Sequence, residues 1–150
     1  MADPVETISY VARRLIQHEL KFAKAAEPRR RGASQLFARI ARSVGTLGPE
    51  LIRDHLPHDA CRELALCSSR LADAVSEELG PQEGARLAEA LAKACDKESL
   101  YLSFRTSDRK RHLAEELDKA SILIQALANG IYMAQGGDDE AVAARAGADS

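Results

Sequence analysis

Tryptophan is absent, and three tyrosines with three phenylalanines make up only 4% of the 150 residues. Proteins that hold nucleic acid by stacking bases need aromatic side chains in series, and neither Tyr10, Phe22 nor Phe37 falls in such a pattern. Long apolar runs are also missing: a bilayer span takes roughly 18–20 apolar residues, and no stretch approaches that length. The start, Met1-Ala2-Asp3-Pro4-Val5-Glu6, has neither the basic opening nor the apolar block of a secretory leader, so the expected location is the cytoplasm. Cysteine is scarce and odd in number (Cys61, Cys67, Cys95), which speaks for small buried hydrophobes and against a disulfide framework. There is no glycine-rich phosphate loop, no nucleophile elbow and no Glu-x-x-His pair of the ferritin type. No cofactor is expected.

What is there is an ordinary core-forming composition, 45% hydrophobic and 29% charged with a net charge of −2. Apolar residues recur by threes and fours, and no segment alternates as a strand would. Asp3, Pro4 and Glu6 open a first helix read to about residue 27, carrying Val5, Ile8, Val11, Leu15, Ile16, Phe22, Ala23 and Ala26 inward and stopping before Pro28. Arg29-Arg30-Arg31-Gly32-Ala33 then reads as a basic turn. Ser34 caps a second helix through Val44, Gly45 to Gly48 interrupts it, and Pro49 to Leu56 forms a short helix.

A third helix runs from near Asp59 to Leu79, ended by Gly80-Pro81. A fourth carries Leu87, Leu91 and Cys95 and extends toward Tyr101 and Phe104. The fifth has the cleanest seam, with Leu113, Leu117, Ala120, Ile124, Leu127 and Ile131 stepping by fours and threes. The expected fold is therefore all-α, an antiparallel four- to five-helix bundle over residues 1–135, followed by a disordered tail over 136–150.

Charge is unevenly spread. Residues 1–45 hold nine basic side chains against four acidic ones, a balance of +5 that leaves −7 for the remainder. Arg14, Lys21 and Lys24 would share one face of a continuous first helix and lead through Arg29, Arg30 and Arg31 to Arg39 and Arg42. Such a basic ridge suits an RNA or DNA backbone, held by phosphate contacts without reading sequence. It equally suits solvated helix faces balanced within the chain, or an acidic partner protein. The expected function is non-catalytic binding and assembly, as a homo-oligomer or as a subunit of a larger assembly that contacts a nucleic-acid backbone through this basic surface, with a purely protein–protein scaffold as the alternative.

The segment Arg53-Asp54-His55-Leu56-Pro57-His58 resembles the Arg-polar-x-x-x-His signature of HEPN-type ribonucleases, with Pro57 as a departure inside it. That resemblance implies metal-independent RNA cleavage, with His58 as acid/base, Arg53 stabilising phosphate charge and Asp54 in support. The same stretch offers zinc-type ligands in His55, His58, Cys61 and Cys67, or else a plain polar corner between helices. Leu56-Pro57 leading into a helix, and Arg109-Lys110-Arg111-His112-Leu113 opening another, resemble the four-helix accessory proteins of the Avd and ribosomal-intervening-sequence type. That resemblance implies oligomerisation and help in nucleic-acid processes, and carries over no individual residue. His18, between Leu15 and Phe22 at helical spacing, reads as a histidine at the edge of the core.

Overall fold

The computed structural model describes residues 4–18, 20–53, 57–96 and 107–134, with backbone alone at 51 and 107–110. These form helices α1 (Pro4–Gln17), α2 (Glu27–Ile52), α3 (His58–Leu79), α4 (Pro81–Ala94) and α5 (Ser107–Met133), with a short 3-10 turn over Lys21–Lys24. The fold is all-α and bundle-like. Each helix packs mainly on two others, in the cyclic order α1, α4, α3, α2, α5 and back to α1. All five meet around one void of about 10 Å³, lined by Ile8, Ala12 and Leu15, Phe37 and Ile40, Leu71, Leu87 and Leu91, and Ile124. The expected tail over 136–150, and the extension of the fourth helix to Tyr101 and Phe104, lie outside the described residues.

Two boundaries depart from the sequence pattern, each for a tertiary reason. The first helix does not reach residue 27. Beyond Gln17 the backbone amides of Lys21 and Phe22 donate to the Glu78 carboxylate of α3, both at 2.9 Å. A buried carboxylate thus takes donors that a continuing helix would have used, and the chain folds back so that Phe22 is buried. Arg29 to Arg31 consequently sit in the first turn of α2 and do not form a turn between helices. Pro28 belongs to that same first turn, where its missing N–H costs little. Leu15 is buried, whereas its neighbour Ile16 is 42% exposed, since one helical face cannot take both.

The second departure is that α2 runs unbroken through Gly45 and Gly48. Ser34, Ala41 and Gly48 step by sevens along α2 and meet Ala128, Ser121 and Ala114, which step back by sevens along α5. The Ser34 hydroxyl donates to the Ala128 carbonyl at 2.8 Å, and the Ser121 hydroxyl to the Ala41 carbonyl at 2.7 Å. A Cβ on Gly48 would lie 3.0 Å from the Ala114 carbonyl oxygen, and one on Gly45 would lie 2.7 Å from the Ser121 hydroxyl. The glycines are therefore the contact surface of a tight antiparallel pair, and the interhelical contact offsets their poor helix propensity.

The α3–α4 hairpin closes in the same way. Gly80, at φ 107°, takes the left-handed turn and donates to the Ser76 carbonyl at 2.9 Å. Gly84 packs so closely on α3 that a Cβ would overlap the Ala72 carbonyl oxygen and the Ser76 hydroxyl. Gly84→Ala is expected to cost about 1–3 kcal/mol by forcing the helices apart, despite alanine's better helix propensity. Urea denaturation checks this, and an unchanged or raised midpoint would refute the close contact.

Candidate functional site

The basic ridge is the first surface to place. Because α1 ends at Gln17, Arg14 does not share a helix face with Lys21 and Lys24, so that part of the expected continuous ridge is corrected. Arg14 lies 3.5 Å from Glu83. The Lys21 ammonium donates to the Glu77 carbonyl at 3.2 Å, and Arg29 donates to the Glu77 carboxylate while lying 5.1 Å above the Phe22 ring. Arg31 pairs with Glu27 one turn back, and Arg39 pairs with Glu63 of α3. Arg30 is 9% exposed and donates to the Ala25 carbonyl at 3.3 Å. Arg42 adds its field at Glu63, and Lys24 is exposed. The Arg39 guanidinium holds the Glu63 carboxyl below its ordinary range, and Glu63 in turn pushes Arg39 up. Four of the eight ridge cations thus pair with carboxylates of this chain, and Lys21 donates to a backbone carbonyl.

Beneath Arg14 lies a buried acidic pair at the closed end of the α3–α4 hairpin. Glu78 holds Lys21 and Phe22 as described, with the half-buried His18 ring 3.4 Å away, consistent with a histidine at the edge of the core. Glu83 lies 3.5 Å from both Arg14 and Arg86 through one oxygen, and its other oxygen is buried without a hydrogen-bond partner.

The Arg53 segment is split. Arg53 is exposed in the turn after α2, and His58 is the exposed first residue of α3. Asp54 and His55, which the ribonuclease and zinc readings also need, lie outside the described residues. Of the other two proposed zinc ligands, Cys67 is buried in the core, while Cys61 is half-buried and hydrogen-bonds with Cys95, the residue that caps α4. Six residues apart on one helix, the two cysteines face different sides. No three potential metal ligands gather among the described residues.

A site that the sequence reading missed is an open cleft of about 810 Å³ over the outer face of α1, walled by α4 and the start of α5. Its lining is Pro4, Glu6, Thr7, Tyr10 and Arg13 of α1, Arg86, Glu89, Ala90 and Lys93 of α4, and His112 and Glu116 of α5. Carboxylates and cations are interleaved. Glu116 accepts from the buried Ser9 hydroxyl at 2.8 Å and lies 3.9 Å from Arg13 and 3.8 Å from Lys119; Glu89 lies 2.8 Å from Lys93. The available clue was the outward spacing of Glu6, Tyr10 and Arg13, which sets an aromatic on the polar side of an amphipathic helix.

The Ser9 hydroxyl, followed by the charges of Lys119, Arg13 and His112, holds the Glu116 carboxyl below its ordinary 4.5 despite opposing desolvation. A depressed carboxyl stabilises the fold above its unfolded value, and that contribution is lost as pH falls through the folded value. Ser9→Ala is therefore expected to cost about 1–2 kcal/mol at pH 7, with the gap to wild type narrowing below pH 4.5. Urea midpoints across pH 3–7 check it, and a gap that stays constant with pH would contradict the assignment.

Compared with known proteins, the chain matches no protein-family model, no curated protein and no solved structure. The motif resemblances therefore rest on their own few residues.

Proposed function

We propose that this protein acts by binding, without catalysis, and that its ligand is a polypeptide carrying charges of both signs which seats in the α1–α4–α5 cleft. The interleaved lining supports this reading most directly. Glu6, Glu89 and Glu116 repel a phosphate backbone, whereas Arg13, Arg86 and Lys93 beside them complement a mixed-charge helix or strand. Tyr10, 47% exposed on the floor, supplies the kind of aromatic anchor on which such contacts concentrate. Small-molecule pockets of this size enclose most of their ligand, and this cleft is open to solvent along its length.

The internal pairing of Arg14, Arg29, Arg31 and Arg39 weighs in the same direction, because it engages half of the ridge's cations with carboxylates of the chain itself. A homo-oligomer and a subunit of a mixed assembly are two forms of this role, differing in which polypeptide fills the cleft. Panning a displayed library of helical peptides against the protein tests the proposal. Enriched peptides are expected to lose at least roughly tenfold in affinity, about 1.4 kcal/mol, on the Tyr10→Ala, Arg13→Glu double variant. Binders indifferent to both substitutions would overturn it.

A further inference from the structure

The packing of α3 on α4 places Cys61 opposite Cys95. Gly84 lies against the Ala72 carbonyl, which fixes the register of the hairpin at that level. Moving outward by eleven residues on each arm leads from Ala72 to Cys61 and from Gly84 to Cys95. Eleven residues are close to three full helical turns, so each cysteine returns to the face that its helix turns toward the other. The two thiols accordingly hydrogen-bond to one another, and both pack against the edge of the core. Both are half-buried, whereas Cys67 is fully buried on the core side.

We propose that Cys61 and Cys95 form a thiol-oxidation site, which a low-molecular-weight disulfide such as oxidised glutathione converts into an intramolecular disulfide across the open end of the α3–α4 hairpin. The Cys61 thiolate attacks one sulfur of the oxidant and expels one glutathione thiol. Cys95 then gives up its proton to solvent and attacks the Cys61 sulfur of the mixed disulfide, releasing the second glutathione. Two protein thiols are oxidised to one disulfide, and one small disulfide is reduced to two thiols. The bridge would join α3's first turn to the residue capping α4, closing a loop that contains the whole hairpin. A native-geometry cross-link of that span restricts the unfolded chain and stabilises the fold.

Cys61 is the attacking sulfur. Burial pushes its thiol up while the contact with Cys95 pulls it partly back, whereas burial and Cys61 both push Cys95 up. The reaction is therefore slow at neutral pH and accelerates with alkalinity, by about tenfold per pH unit while the attacking thiol remains mostly protonated.

The test uses the full chain, incubated with oxidised glutathione and then digested with trypsin without reduction. The three cysteines fall in separate peptides, 54–62, 63–70 and 94–97. The expected product is 54–62 joined to 94–97 with the loss of two hydrogens, with 63–70 carrying a free thiol. The oxidised protein should melt above the reduced one, and the gain should vanish in Cys95→Ser. Glutathione adducts that persist on either cysteine, a bridge involving Cys67, or a cross-link between two chains would each overturn the proposal. The peptide map of the wild-type chain decides this even if the serine variant fails to fold.

Discussion

Replacing Glu78 by alanine is expected to destabilise the protein by about 2–4 kcal/mol, because it strands two backbone donors, one of them buried and the other partly so. The Glu78 side chain has no exposed surface, and its carboxylate accepts from Lys21 and Phe22, both at 2.9 Å. Glu78→Gln keeps one oxygen as acceptor and turns the other position into a donor facing an N–H, so it should fall between wild type and alanine. The damage should be local first. Amide hydrogen exchange at residues 20–24 is expected to accelerate more than exchange in the core of α2. A loss below about 0.5 kcal/mol, the range of ordinary surface substitutions, would mean that the fold-back after α1 is held by something other than this carboxylate.

Phe37→Ala should cost about 3–5 kcal/mol, the usual range for emptying a large aromatic site in a packed interior. Phe37 is 1% exposed and lines the void on which all five helices converge. Its removal enlarges a cavity bounded by Ile8, Leu71, Leu91 and Ile124, each on a different helix. No single helix can shift to refill that space without losing its other contacts, so relaxation should recover little. Phe37→Leu, which keeps much of the volume, is expected to lose about 1–2 kcal/mol. Equilibrium urea unfolding followed by circular dichroism measures both. Similar small losses for alanine and leucine would argue against one shared core.

The helices legible in the sequence were those whose limits are written locally. α3 shows this in Gly80-Pro81 at its end, and α5 in its unbroken Leu/Ile seam after Ser107-Asp108. The structure departs from the local pattern where distant residues decide. Gly45 and Gly48 read as breaks because their cost is local while their compensation lies on α5, at Ala114 and Ser121. The fold-back after Gln17 depends on Glu78, sixty-one positions away, and no pattern near residue 17 announces it.

The site was less legible for the same reason. The excess of positive charge over residues 1–45 is visible in composition, but its pairing with Glu63, Glu77 and Glu83 emerges only when α3 and α4 pack beside it. Tyr10 was visible as an aromatic, and the cleft around it exists only once α4 and α5 rise on either side. Cys61 and Cys95 each read as lone buried hydrophobes until the hairpin register brought them together.

Individually, exposed ion pairs are weak, about 0–1 kcal/mol each, so a polyanion could displace any one carboxylate from the ridge. Displacing several at once leaves Glu27, Glu63 and Glu77 beside the incoming phosphates, and the proposed polypeptide ligand rests on that repulsion opposing nucleic acid. The most direct measurement is the binding of labelled single-stranded RNA and duplex DNA without magnesium, from 50 to 200 mM salt, with the RNA inspected for cleavage afterwards. The RNA is expected to stay intact and to bind no tighter than about 10⁻⁴ M, the weak end of non-specific association. Tight binding that falls by roughly a thousandfold across that salt range, the mark of six or more phosphate contacts, would contradict it. So would RNA cleavage that disappears in His58→Ala.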